Sequence, residues 1–125
     1  MTIATMDKAT LRQFRDSVSA GGYIGGADDV AIAAFGAHAM LAQNATTGAH
    51  GIDAAVAFTQ AMLPGWYWRC GRTLLDDGAA HVYRLKLRGP GGMYDLAAGL
   101  APTPAKALVV AVLSALIEFG EAPHG

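Results

Sequence analysis

The sequence predicts an α+β domain of the order α-β-β-β-α, in which helices cover one face of a three-stranded antiparallel sheet. Its hydrophobic pattern changes period twice. Apolar residues recur every three to four positions up to Pro64, alternate with polar ones in the middle of the chain, and become nearly continuous after Thr103. With 125 residues the chain is long enough for one domain with its own core.

A helical extension is predicted over residues 1–48, ahead of the sandwich. Residues 7–19 carry apolar side chains at helical spacing, and the glycine-rich segment 21–26 ends that helix. A second helix is expected from residue 28 or 29 to about residue 44, because its aspartates suit the positive end of a helix dipole. The small, polar residues 45–51 read as a linker or loop.

The sandwich is predicted over residues 49–120 and leaves a tail at 121–125. Its first helix spans 52–63 and is stopped by Pro64 and a glycine. Its last helix is expected from Thr103, a good N-cap, through a run that is apolar nearly all round. Such a helix must be largely buried.

Between these helices the pattern predicts a meander of three strands, at 66–71, 81–88 and 93–98. In the first strand the two tryptophans and the cysteine should face the helices, and Tyr67 and Arg69 should face solvent. In the second, Tyr83 and Leu85 are expected to face the helices, which turns Arg84 outward with its neighbours at alternate positions.

These assignments predict a basic outer face on the sheet. Residues 66–92 hold five Lys or Arg against two acids, a balance of +3 in a chain whose net charge is −1. The face would contact an acidic protein surface or a nucleic-acid backbone. In the alternative interpretation the face binds no partner, and its cations only keep the sheet hydrated and discourage other chains from pairing with its edges. The predicted partner-binding residues are Tyr67, Arg69, Arg84, Lys86 and Arg88.

The composition and the net charge of the chain argue against several classes of function. A net charge of −1 provides no overall positive field for nucleic acid or anionic lipid. The apolar stretch 107–117 is too short to span a bilayer, and no signal peptide is recognisable. The single cysteine suits a reducing, cytoplasmic setting.

Apolar residues make up 53% of the chain, more than one small domain readily covers, so a homodimer is expected.

No catalytic, cofactor-binding or metal-binding residue is predicted. The four histidines are scattered, and Cys70 in apolar surroundings should behave as a small hydrophobic residue. A small enzyme of unknown reaction remains an alternative, which would need a pocket holding Cys70, His81 or Asp95.

The α-β-β-β-α order, with the last helix opening as TPAKALVVAVLSAL, resembles a double-stranded-RNA-binding domain. That resemblance implies a cluster of lysines at the start of the last helix, which grips RNA phosphates. Here Lys106 alone matches, so too few cations are present to hold a duplex. A nucleic-acid-binding module of this topology is thus the second functional hypothesis, after protein binding.

Three further stretches are similar to small phage and prophage proteins described as phage ABA-sandwich proteins: LPGW at 63–66, RGPGG at 88–92 and TPAKAL at 103–108. The resemblance covers about residues 50–119. It implies a non-enzymatic accessory protein that binds a host or phage macromolecule, most simply a protein, and that could inhibit a host defence protein. This is the function we expect.

Overall fold

The computed structural model of the chain describes residues 7–47, 51–85 and 94–120. These residues form helices and a three-stranded antiparallel sheet, which confirms the predicted α+β class. The helices are α1 Lys8–Ser19, α2 Asp29–Phe35, α3 Ala39–Thr46, α4 Ile52–Met62 and α5 Pro104–Phe119; the strands are β1 Tyr67–Gly71, β2 Ala79–Leu85 and β3 Tyr94–Leu100. No helix in these parts of the chain has the length and apolar character needed to cross a membrane.

The second predicted helix is interrupted. Gly36 has a φ of +59°, a conformation that glycine adopts without strain, and the 3₁₀ turn Gly36–His38 separates α2 from α3. The strands also differ slightly in extent, because β2 begins two residues earlier than predicted and β3 ends two residues later. Residues 86–93, which include predicted strand ends, lie outside the described part of the chain.

Helix α5 forms the centre of the molecule. It packs against all three strands and against α1, α3 and α4, and its residues 107–113 are buried without a break. The predicted cap is present, since Thr103 Oγ1 accepts a hydrogen bond from the Lys106 backbone N–H at 3.2 Å and Pro104 occupies the first helical position. A helix buried on every side needs no polar face, which explains the continuous apolar run.

Small residues line the side of the sheet that faces α5. Ala80, Val82, Ala97 and Gly99 are all buried there. Gly99 allows the closest approach, because a Cβ at this position would collide with the Ala107 carbonyl oxygen and lie 2.6 Å from the Ala111 nitrogen. The helix backbone therefore rests almost directly on β3.

The core extends beyond α5 into the N-terminal helices. Phe35 of α2 packs against Phe14 of α1 at a centroid distance of 5.5 Å, and against Phe58 of α4 at 5.3 Å. Leu11 and Val18 of α1 belong to the same buried cluster. Among the described residues, the helices thus pack on one side of the sheet, and alternate residues of β3 on the other side are exposed.

Candidate functional site: the open face of the sheet

The side of the sheet turned away from α5 is lined by aromatic and aliphatic side chains. We call this surface the open face. In an antiparallel sheet, residues directly opposite one another project to the same side, so the register defines the members of the face. They are Tyr67, Arg69 and Gly71 of β1, Ala79, His81, Tyr83 and Leu85 of β2, and Tyr94, Leu96, Ala98 and Leu100 of β3.

The structure corrects the predicted orientation of β2. Tyr67 and Arg69 face outward as predicted and Trp66 is buried, but Trp68, predicted to belong to the core, is exposed. However, Tyr83 and Leu85 also lie on the open face, whereas the prediction turned them towards the helices. Leu85 is largely exposed, and Val82, predicted to face out, is fully buried.

The cause of this error is the close approach of α5. Where the α5 backbone rests on the sheet there is room only for small side chains, namely those of Ala80, Val82, Ala97 and Gly99, and Tyr83 and Leu85 lie on the other side. The usual alternation of apolar inside and polar outside therefore gives the wrong phase for β2.

Arg84 is directed to the helix-facing side and does not contribute to the open face. Its Nε donates a hydrogen bond of 2.8 Å to Asp95 Oδ2, directly across on β3. Its guanidinium carbon also lies 4.9 Å from the centroid of the Trp66 ring, a cation–π distance. The predicted basic face thus loses its central member, because a buried carboxylate and an indole ring bind this arginine. The predicted partner residues Lys86 and Arg88 lie outside the described residues.

Three tyrosines, one from each strand, form a connected group on the open face. Tyr67 stacks on Tyr83 with centroids 5.5 Å apart and rings inclined by 25°, and Tyr83 meets Tyr94 edge to face at 6.1 Å. Offset-stacked and edge-to-face geometries are the favourable ones for aromatic pairs. Tyr67 and Tyr94 nevertheless remain largely exposed, which leaves ring surface available for a partner.

Arg69 carries the formal charge among the described members of the open face. Arg69 and His81 stand opposite each other in the register, and no residue assigned to the face in the described strands is a carboxylate. Asp95, the acid of β3, is on the helix side with Arg84. One arginine among aromatic and aliphatic groups is typical of a protein contact surface.

A second exposed apolar feature lies in the β1–β2 connection. We call Leu74 and Leu75 the hairpin tip; their side chains are 100% and 91% exposed. The turn beneath them is ordered by Thr73, whose Oγ1 accepts hydrogen bonds from the backbone N–H groups of Leu75 and Asp76 at 3.3 and 2.9 Å. The Thr73 N–H in turn donates to the Asp76 carbonyl at 2.9 Å. Two leucines are thereby held in solvent by a defined turn.

The residues proposed for the enzyme alternative are not brought together. His81 is on the open face, whereas Cys70 pairs with the buried Ala80 on the opposite side, and Asp95 is ion-paired with Arg84. Within the described residues, no group of three or more His, Cys, Asp or Glu side chains could hold a metal ion. Burial raises the pKa of the Cys70 thiol.

Cys70 should consequently react slowly with a thiol-specific disulfide reagent at neutral pH. The thiolate is the reactive form, and a raised pKa reduces its fraction until the pH is higher. We expect the reaction rate of the native protein to rise at higher pH than the rate of the same chain in urea. An equal or faster native rate across the pH range would contradict the burial of this thiol.

Sequence reasoning missed the hairpin tip and the contribution of β3. The sequence did contain a signal for the contribution of β3, since residues 94–100 read YDLAAGL, in which larger side chains tend to alternate with small ones. That alternation separates Tyr94, Leu96 and Leu100 from Asp95, Ala97 and Gly99. For the tip, the signal was a pair of leucines in an otherwise polar connection.

Comparison with known proteins adds no assignment: no protein-family model, no curated protein and no solved structure matches this chain.

Proposed function

We propose that this chain is a non-enzymatic accessory protein that binds another protein through two exposed apolar features of its sheet, the open face and the hairpin tip of the β1–β2 connection. The observation that carries the proposal is the exposure of tyrosines and leucines in these two features. A solvated antiparallel sheet ordinarily presents polar residues on its outer side. Contiguous exposed apolar surface on a soluble domain is characteristic of interaction sites.

The composition of the surface supports a protein as the partner. Tyrosine is enriched at protein interfaces because it offers a large rigid surface and a polar hydroxyl. The turn that holds Leu74 and Leu75 reduces the conformational freedom that binding must remove. The similarity to phage ABA-sandwich proteins over about residues 50–119 supports a host or phage protein as this partner, with inhibition of a host defence protein as one form of the activity.

Substitution of the hairpin tip should abolish partner capture. Leu74→Ser/Leu75→Ser removes two exposed apolar side chains without touching the core, so folding should be unchanged. We expect the tagged variant to lose those proteins that the wild type enriches from host lysate, as measured by quantitative mass spectrometry. The matched control is Val30→Ser/Ile32→Ser, which changes two exposed apolar residues of α2. Unchanged recovery with the tip variant, or equal loss with the control, would contradict this role of the tip.

Single-stranded nucleic acid is the second candidate partner, because exposed aromatic rings on a sheet beside an arginine can stack on bases. The likeness to a double-stranded-RNA-binding domain is weaker support for nucleic-acid binding than these exposed rings are. Lys106 Nζ donates a 2.8 Å hydrogen bond to the Gly21 carbonyl and thereby ties α5 to the N-terminal segment. Fluorescence anisotropy with a labelled oligothymidine separates the two candidates. Nucleic-acid binding requires an affinity that falls steeply with salt.

A further inference from the structure

We propose that the open face is covered by a second copy of this chain in a two-fold symmetric dimer. The inference rests on the proposed function only in treating the open face as a contact surface. It narrows the proposed function by assigning the two apolar features to different contacts: the open face pairs two copies, and the hairpin tip alone binds the other partner.

The order of residues along the strands makes the open face complementary to itself. The register defines two adjacent rows across the sheet. One row is Tyr67, Tyr83 and Leu96, and the next is Arg69, His81 and Ala98. A two-fold axis that lies between these rows, perpendicular to the strands, would set each row against the other in the second copy.

The contacts that this arrangement makes in the two outer strands, β1 and β3, are chemically favourable. Tyr67 of one copy would meet Arg69 of the other, and a guanidinium over a tyrosine ring is an attractive contact. Leu96 would meet Ala98, a large residue against a small one, which is how facing sheet layers fill space.

Two alternatives to this arrangement are less favourable. A two-fold axis parallel to the strands would set His81 against its own copy and Tyr83 against its own copy, so that complementarity between the rows is lost. A strongly basic partner is also disfavoured, because the open face presents no carboxylate among its described members.

The area of the open face determines how tightly two copies are expected to bind each other. Three strands about 4.8 Å apart and seven residues of about 3.3 Å each cover roughly 14 by 23 Å. Such a footprint, about 320 Å² per copy as a flat area, lies below the standard size of specific protein interfaces and corresponds to a weak, transient contact. We therefore expect a dissociation constant in the micromolar range, with monomer and dimer both populated in ordinary experiments.

Sedimentation velocity from low micromolar to several hundred micromolar protein tests the dimer. We expect a reversible monomer–dimer equilibrium that Leu96→Lys weakens at least tenfold, because the added ammonium would lose water against Ala98 of the other copy, on a face whose described members include no carboxylate. Ile32→Lys on α2 is the matched control, since Ile32 and Leu96 are 48% and 51% exposed. The control should dimerise like wild type. A purely monomeric wild type, or a dimer unaffected by Leu96→Lys, overturns the proposal.

An exchange of side chains tests the arrangement itself. Leu96→Ala and Ala98→Leu should each weaken the dimer, the first by removing contact and the second by crowding. The double variant Leu96→Ala/Ala98→Leu should restore it, because each leucine again meets an alanine in the other copy. Without restoration, the proposed two-fold axis is wrong.

The two proposals fail in different ways. If the wild type is monomeric and Leu96→Lys loses the captured proteins, the open face binds the heterologous partner and the second-copy inference is overturned. If the dimer forms and the tip variant still captures the partner, the dimer stands and the tip assignment fails. Binding of an oligothymidine by the monomer alone, lost when the exposed ring is removed in Tyr67→Ala, would assign the face to nucleic acid and overturn the dimer.

Discussion

Replacing Gly99 by alanine should destabilise the protein by about 3 kcal/mol or more, at the upper end of the cost of overpacking. The added Cβ would collide with the backbone of α5, at the Ala107 carbonyl and the Ala111 nitrogen. Backbone atoms of a buried helix cannot move aside as a flexible side chain can, so α5 would have to lift from β3. Urea denaturation followed by circular dichroism measures the loss as a lower midpoint at unchanged slope.

Gly71 supplies the matched control for this substitution. It is also a strand glycine, but a Cβ there would meet nothing within 4 Å. Gly71→Ala should therefore be neutral or slightly stabilising, since alanine restricts the unfolded chain more than glycine does. Equal effects at the two positions would show that loss of glycine from a strand, rather than contact with α5, determines the cost.

The second large effect is expected at the Arg84–Asp95 ion pair. Arg84→Met should cost about 3 kcal/mol, the lower end of the range for breaking a buried pair, because the arginine itself is partly exposed. The substitution removes the 2.8 Å hydrogen bond to a carboxylate that is only 5% exposed, and also the cation over the Trp66 ring. Thermal and urea unfolding of both proteins would measure the difference.

Two control variants show whether the loss of stability in Arg84→Met comes from the burial of its ion pair or from the loss of an ion pair as such. Arg15→Met breaks the Arg15–Asp16 pair on the surface of α1, which should cost at most about 1 kcal/mol. Arg84→Met/Asp95→Leu replaces both buried partners by apolar residues and should recover much of the loss. If the two single arginine variants were equally stable, the buried pair would contribute no more than a surface pair.

The outer surface of the sheet illustrates how a correct pattern can be assigned to the wrong side. Alternation predicted strands at the right places, and in β1 it oriented Tyr67 and Arg69 correctly. In β2 both sets of alternate residues contain apolar members, so periodicity alone could not choose between them. The larger apolar residues were taken as the inner set, although the apolar residues of β2 that pack beneath α5 are Ala80 and Val82.

This difference changes the kind of partner that the surface would bind. A basic face would attract acids or phosphates, whereas the observed face presents tyrosines and leucines with Arg69 and His81. Arg84 takes a structural role instead, between Asp95 and Trp66. The long side chain and planar guanidinium of arginine suit such a site, where it can form an ion pair and cover an indole at once.

By itself, the sequence determined the α+β class, the α-β-β-β-α order, the capped and buried last helix, and the orientation of β1. These properties depend on local spacing, on turn residues and on the total of apolar surface. Only the tertiary structure decided which side of β2 and β3 faces the helices. That choice depends on how closely α5 approaches the sheet. The approach is set by contacts such as that of Gly99 with Ala107 and Ala111, which lie far from β2 in sequence although Gly99 is paired with Ala80 in the sheet.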